Sequence, residues 1–340
     1  MSGTDLRGWG LDADAAAAWA DGLARPGAVI GRVIEEHLGG LWVMTAAGPV
    51  LTRSAGRLRR SHVGDPTRRP AVGDWVLVVV EAGAGGRATL HDLWPRRTAL
   101  VRRAAGDRAV AQVVAANVDH VWILCPVAAP SPRRAERWLA LARAGGALPS
   151  LIVTKGDLGG TDDAVAALTA VAAGAAVHVV ASHTGVGVAA LRATVALGET
   201  TVLVGSSGVG KSTLVNAIAG EALRATQEIR SDGKGRHTTT ARALVRGADG
   251  LLLLDTPGIR ELGMALADEG LDDAFAEITT LAAACRFRDC RHGPEPGCAV
   301  RAAIAAGTLD GARLDRFLAL GLESAATSRV LNARTKRKDG

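Results

Sequence analysis

The sequence has no tyrosine, three phenylalanines and seven tryptophans in 340 residues, an aromatic content of 3%. Recognition of a partner mainly by stacking on aromatic platforms is therefore excluded. Four cysteines are too few for a disulfide-dense secreted scaffold. Long apolar runs are missing as well. The most apolar stretch, residues 164–181, is alanine-rich and is broken by Thr169, Gly174 and His178. A membrane span needs about 20 strongly apolar residues, so this stretch reads as a buried helix running into a strand. Residues 1–11 lack a basic patch followed by an apolar run, and no signal peptide is read. We expect a cytoplasmic monomer with no membrane partner. Lysine is also scarce: five of the 40 basic residues are Lys, and the rest are Arg. Three of them, Lys155, Lys211 and Lys234, lie in the body of the chain, and Lys336 and Lys338 lie in the tail. Lysine kept in so arginine-rich a chain points to places that need a flexible point charge rather than a planar fork.

What is present is globular material: 48% hydrophobic, 22% charged, with a formal net charge of +6. At roughly 100–200 residues per domain, the length suggests two or three domains. Residues 1–27 read as a leader with one alanine-rich helical patch. From residue 28 to about 103, short β-like runs (28–33, 41–45, 49–53, 75–80, 88–93) are punctuated by Gly and Pro. That texture predicts a small barrel or sandwich. Arginines cluster on it at 53, 57, 59, 60, 68, 69, 96, 97, 102 and 103. A solvated charged rim and a nucleic-acid contact both account for them. From residue 110 the rhythm becomes strand, helix, strand. Strands are predicted at 121–127, 150–154, 177–181, 201–204, 241–245 and 251–255, with helices at 132–145, 162–173 and 212–220. Such alternation implies a parallel α/β sheet. Beyond about residue 264 the chain turns helical around a Cys/His cluster, with a further helical stretch over 309–331 and a short basic end.

Gly205-Ser206-Ser207-Gly208-Val209-Gly210-Lys211-Ser212 fits G-x-x-x-x-G-K-[ST] between a predicted strand and a predicted helix, and Thr213 continues that helix. Glycines let the backbone curl so that its N–H groups face phosphate oxygens, and the helix N-terminus adds partial positive charge. Lys211 would reach the β- and γ-phosphates, and Ser212 would offer its hydroxyl to Mg²⁺. Downstream, an apolar strand ends in Asp255-Thr256-Pro257-Gly258. Asp255 stands where a Mg²⁺-holding carboxylate belongs, and the Gly258 N–H could sense the γ-phosphate. Between them lies Lys234-Gly235-Arg236-His237-Thr238-Thr239-Thr240, a loop in which Thr239 could complete the Mg²⁺ shell and order with the γ-phosphate.

Thr154-Lys155-Gly156-Asp157, at another strand end, resembles the [NT]-K-x-D element that reads guanine. The Asp157 carboxylate would accept from N1–H and the exocyclic amine, a donor pair that adenine lacks, and so select GTP. Thr154 replaces the commoner Asn, and a hydroxyl cannot copy both ends of an amide, so a lower guanine affinity is expected. Ala181-Ser182-His183, at the end of the next strand, resembles the companion element of the guanine pocket. The base reader precedes the phosphate loop here, so the order is circularly permuted. Strand ends on one edge of a parallel sheet allow such closure. The permuted order also sends the segment after Asp255 straight into the C-terminal region.

Cys285, Cys290, His292 and Cys298 gather three of the four cysteines and one histidine within a short segment. Three thiolates and an imidazole make a closed tetrahedral set suited to structural Zn²⁺. Cys125, on an apolar strand, reads as a core residue.

The permuted order, GSSGVGKS, GRHTTT, DTPGIRELG and the CRFRDCRHGPEPGCAV cluster together resemble the ribosome small-subunit-dependent GTPase A family. That resemblance implies a multidomain chain. It would have a leader at 1–27, an N-terminal OB-fold β-barrel at 28–105 and a circularly permuted P-loop α/β GTPase domain at 106–265. A C-terminal helical zinc-binding domain at 266–331 and a basic tail at 332–340 would follow. It further implies GTP and GDP as ligands, the small ribosomal subunit and its rRNA as partners, and hydrolysis stimulated by that subunit. Ile259 follows Asp-Thr-Pro-Gly where Ras-like proteins place a water-orienting Gln. His237 is then the candidate for positioning water, and a solvent-exposed loop histidine is the plain alternative. We expect slow hydrolysis in isolation. The competing functions are a nucleotide-gated RNA-binding module and a general P-loop ATPase; Asp157 argues against the second.

Overall fold

Five short strands with turn residues between them close into a barrel: β1 (Ala28–His37), β2 (Gly40–Thr45), β3 (Gly48–Ser54), β4 (Trp75–Val80) and β5 (Ala88–Leu93). The computed structural model describes residues 4–12, 17, 19, 23–37, 39–61, 66–81, 88–103, 111–206, 208–219, 243–247, 249–255, 275–287, 290–315 and 317–318. β1, β2 and β3 form an antiparallel meander; β3 pairs parallel with β5, β5 antiparallel with β4, and β4 antiparallel with β1 to complete the ring. A register shift between Val33 and Glu35 bends β1 so that it serves both neighbours. Val33, Val43, Val76, Val78 and Leu90 are fully buried inside. Closure removes most of the exposed edge that so small a sheet would otherwise present.

The second body is the expected α/β sheet. β8 (His120–Pro126), β9 (Leu148–Thr154), β10 (Ala176–Val180), β11 (Thr200–Gly205) and β13 (Leu252–Asp255) run parallel in the order β10-β9-β8-β11-β13. Helices Pro132–Ala144, Thr161–Thr169, Val188–Arg192 and Lys211–Ala219 cover it. Because both faces are covered, β8 is buried along nearly its whole length and reads as an unbroken apolar run rather than an alternating one. Two features depart from the sequence expectation. β12 (Ala243–Arg246) is antiparallel to β13, and it also pairs with barrel strand β1 at Glu35 opposite Ala243, which makes the barrel and the sheet continuous. A separate two-stranded ribbon joins β6 (Ala99–Arg103) to β7 (Ala111–Ala116).

The joint between the two bodies is built on a buried arginine. Arg32, 2% exposed, donates to the carbonyls of Trp9 (2.5 Å), Gly73 (3.2 Å) and Asn117 (3.1 Å) and to Thr200 Oγ1 (2.7 Å). Burial lowers its guanidinium to about 10, still cationic near neutrality. Gly73, at φ 96°, brings its backbone so close that an added Cβ would lie 2.0 Å from the Ala116 carbonyl oxygen. Arg96, grouped by sequence with the surface arginines, is an internal brace. Its guanidinium grips both oxygens of the fully buried Asp74 at 2.7 Å and caps the carbonyls of Thr67 and Arg69. Arg53, Arg57, Arg59, Arg68 and Arg69 remain exposed on the barrel.

The C-terminal module carries helices Ala276–Ala282 and Ala299–Ala305. Phe275, Ile278, Val300 and Leu314 form its apolar centre together with Ala140 of the Pro132–Ala144 helix. No helix among the described residues is long and apolar enough to cross a membrane.

Candidate nucleotide site and metal centre

Strand register brings the separated motifs to one edge. Gly205 at the end of β11 lies opposite Leu124 of β8, and Pro126 of β8 lies opposite Thr154 of β9, which in turn lies opposite Val180 of β10. The Gly205–Ser212, Thr154–Asp157 and Ala181–His183 motifs thus leave the carboxyl ends of β11, β9 and β10, with β8 between the first two, on the edge where ligands bind in open α/β sheets. Asp255 ends β13 on the same sheet.

Within the phosphate loop, Gly208 (φ 73°) and Gly210 (φ 104°) occupy the left-handed region that only glycine adopts without strain. Val209 between them is 1% exposed and packs into the sheet's core, which anchors the turn from below. Lys211 opens the Lys211–Ala219 helix, and its Nζ donates to the carbonyls of Gly205 (2.7 Å) and Ser206 (2.8 Å). The ammonium is thereby held across the loop, where it meets the backbone that would surround a phosphate. Ser212 is exposed at the start of that helix, and Thr213 is half-buried.

Thr154 points inward. It is 2% exposed, and its Oγ1 donates to the Val209 carbonyl at 2.7 Å and lies 3.4 Å from the Cys125 carbonyl. Its hydroxyl therefore holds the end of β9 to the glycine-rich turn after β11. Lys155 follows at φ 59°, and the turn places Asp157, exposed, in the short helix Gly156–Leu158. Gly156 sits so close to β10 that an added Cβ would lie 2.7 Å from Val179 Cγ1. The companion segment is a closed turn: the Ala181 N–H donates to the Val186 carbonyl, and those of Thr184 and Gly185 to the Ala181 carbonyl. Ala181 is buried, Ser182 half-buried and His183 exposed. Cys125 is a core residue, and burial pushes its thiol up to about 11. His237, Thr239, Ser207 and Gly258 lie outside the described residues, as does the rest of the Lys234–Thr240 loop.

Cys285, Cys290, His292 and Cys298 come together with their donor atoms all within 4.8 Å of one another. Cys285 Sγ is 3.9 Å from Cys298 Sγ and 3.7 Å from His292 Nδ1, and Cys298 Sγ is 3.6 Å from that nitrogen. Zinc–sulfur bonds of about 2.3 Å in a tetrahedron put sulfurs about 3.8 Å apart, so the donor set and its spacing fit zinc. Burial pushes the Cys285 thiol up, but backbone N–H groups of Val300 and Ala299 and hydrogen bonds with Cys290 and Cys298 bring it below its ordinary value, while desolvation and the two neighbouring thiols push Cys290 up to about 11. Arg301 supports the set by donating Nε to the His292 carbonyl at 2.8 Å.

A closed five-stranded barrel, a permuted nucleotide sheet and a Cys₃His module together define a circularly permuted P-loop GTPase. A family model described as RsgA GTPase matches residues 93–265. A small ribosomal subunit biogenesis GTPase RsgA of Xanthomonas axonopodis pv. citri is 42% identical over 321 residues, 93% of this chain and 86% of that protein. The chain belongs to the RsgA GTPase family. A second relative, small ribosomal subunit biogenesis GTPase RsgA 2 of Lactiplantibacillus plantarum, is 40% identical over 302 residues, 87% of this chain and 84% of that protein. Among solved structures, YjeQ from Thermotoga maritima superposes with a TM-score of 0.66 at 25% identity, covering 88% of this chain and 99% of that one. YloQ, described as a circularly permuted GTPase, shares the fold with a TM-score of 0.63 at 24% identity, covering 88% and 96%.

Proposed function

We propose that the protein is a GTP hydrolase acting as a late assembly factor of the small (30S) ribosomal subunit. It binds rRNA and converts GTP to GDP and phosphate faster when the subunit is present. The observation that carries this reading is the convergence of Lys211, Thr154 and Asp157 on one sheet edge in a chain whose relatives are named as small-subunit biogenesis GTPases.

In this reading the backbone of residues 205–213 cradles the phosphates, and Lys211 neutralises the charge that develops on the transferred group. Asp157 reads the base, and Ala181, Ser182 and His183 line the far side of the pocket. Ser212, Thr239 and Asp255 would hold Mg²⁺, which supplies charge neutralisation on the phosphate oxygens when bound. His237 would position water, and Gly258 would respond to the γ-phosphate. Cys285, Cys290, His292 and Cys298 would hold a structural Zn²⁺ that fixes the C-terminal module. The domains would divide at 28–105, 106–265 and 266–331, in a monomer working in the cytoplasm. The exposed arginines 53, 57, 59, 68 and 69 would face rRNA phosphates from the barrel.

Depletion of the protein in its own cells tests the role. Accumulation of small subunits carrying unprocessed rRNA is expected. A normal profile of mature subunits would contradict it and favour a nucleotide-binding protein with no part in assembly.

A further inference from the structure

The C-terminal module is fastened to the GTPase sheet by charge as well as by apolar contact. Glu136, on the Pro132–Ala144 helix, is 1% exposed. Its Oε1 accepts from Arg313 Nη1 at 2.6 Å. Arg313, 7% exposed, also donates through Nε to Glu277 Oε1, and its guanidinium lies 4.4 Å from the centroid of the Phe275 ring. Phe275 and Glu277 begin the module's first helix. Ala140, one turn beyond Glu136 on the same helix, lies in the module's apolar cluster. The Arg313 guanidinium thus reaches a carboxylate 177 positions away in sequence and lies over an aromatic ring.

Apolar surfaces alone could dock the module, but they are tolerant of rotation. A buried carboxylate and guanidinium are satisfied only in one orientation, because each misplaced partner leaves a charge without compensation. The clasp also sits at a particular place. β13 ends at Asp255, and Phe275, over which the Arg313 guanidinium lies, caps the module's first helix. The helix that carries Glu136 packs on β9, the strand that ends in the base reader.

We propose that Glu136, Arg313 and Glu277 form a positioning clasp that holds the module in one orientation on the Pro132–Ala144 helix, so that contact between module and small subunit is felt at the nucleotide site. The inference rests on the reading of the protein as a subunit-stimulated GTPase. The three side chains are positioning residues at a distance from the nucleotide.

The full-length, zinc-loaded protein is compared with Arg313→Met and Glu136→Gln. GTP hydrolysis is measured alone and with saturating small subunits, and amide hydrogen exchange is followed over 276–282 and 299–305. The expected result is unchanged basal hydrolysis and zinc content, a loss of subunit stimulation of about tenfold or more, and exchange about tenfold faster in both helices. Arg313→Lys, which keeps the charge without the fork, should fall between. Intact stimulation, unchanged exchange, or an equal fall of basal and stimulated rates would each overturn the proposal, the last because it marks a general loss of fold. If Arg313→Met does not fold, the near-isosteric Glu136→Gln decides. Wild-type protein that subunits fail to stimulate overturns the functional reading and the coupling with it, while the exchange data still decide whether the clasp holds the module.

Discussion

The hydroxyl of Thr154 is 2.7 Å from the carbonyl oxygen of Val209, so the end of β9 and the glycine-rich turn after β11 are tied by a buried hydrogen bond. The two residues are separated by 55 positions and come from the motifs that a permuted chain must bring together anew. Replacing Thr154 with Val keeps the shape and leaves the Val209 carbonyl without this donor. A buried acceptor stranded in that way costs about 1–3 kcal/mol, or roughly 5- to 150-fold in an equilibrium constant. Weaker binding of GTP and ATP in equal proportion is expected by fluorescence titration, with recovery in Thr154→Ser. A change in the GTP-to-ATP ratio would show instead that Thr154 reads the base.

Selectivity should belong to Asp157. In Asp157→Asn one carboxylate acceptor becomes a donor, which faces the exocyclic amine of guanine but suits the carbonyl of xanthine. Sites built on hydrogen bonds discriminate by large factors. A shift of preference from GTP toward xanthosine triphosphate of at least about a hundredfold is expected in competition binding. Retained GTP preference would place the base elsewhere.

The arginines divide by structure where the sequence could not divide them. Arg96 grips the buried carboxylate of Asp74, and breaking such a pair costs roughly 3–5 kcal/mol. Arg57 is exposed, and its loss should stay within about 0.5 kcal/mol. Urea unfolding of Arg96→Met and Arg57→Met tests the contrast; similar midpoints for the two would contradict it. Paired replacement of Arg57 and Arg59 by Ala should in turn lower rRNA affinity and flatten its dependence on salt.

The metal centre gives a further expectation. Chelation, or Cys298→Ser, should remove one bound zinc per chain and release the described part of the C-terminal module to rapid exchange. The sheet of β8–β11 should keep its protection, because its core forms without any residue of the Cys₃His set. Zinc content by atomic emission with hydrogen exchange decides. Loss of protection in β8 as well would mean that metal and sheet fold as one unit.

Much of this arrangement was legible because it rests on local signals. The barrel strands at 75–80 and 88–93 coincide with their predicted bounds: the first is rich in valine, and Gly and Pro set off both. The glycine-rich turn between Gly205 and Lys211 was expected between a strand and a helix, and it joins β11 to the Lys211–Ala219 helix. The zinc cluster was readable because four soft donors crowd into a few residues. What escaped was non-local. The β6–β7 ribbon has little of the alternation that marks an amphipathic strand. β12 looks like one more parallel strand until its pairing with β1 is seen. Arg96 and Arg313 resemble any other arginine in an arginine-rich chain, and only folding shows that each faces a buried carboxylate. Thr154 was expected at a guanine site from its sequence pattern, but its hydroxyl turns to the Val209 and Cys125 carbonyls, a direction that no local pattern shows.

Hydrolysis of GTP and of ATP by the purified protein, each with and without small ribosomal subunits, tests the central claim most directly. Slow turnover of GTP alone, strong acceleration by subunits and little use of ATP are expected. Equal use of the two nucleotides, or a GTPase rate that subunits leave unchanged, would contradict the account.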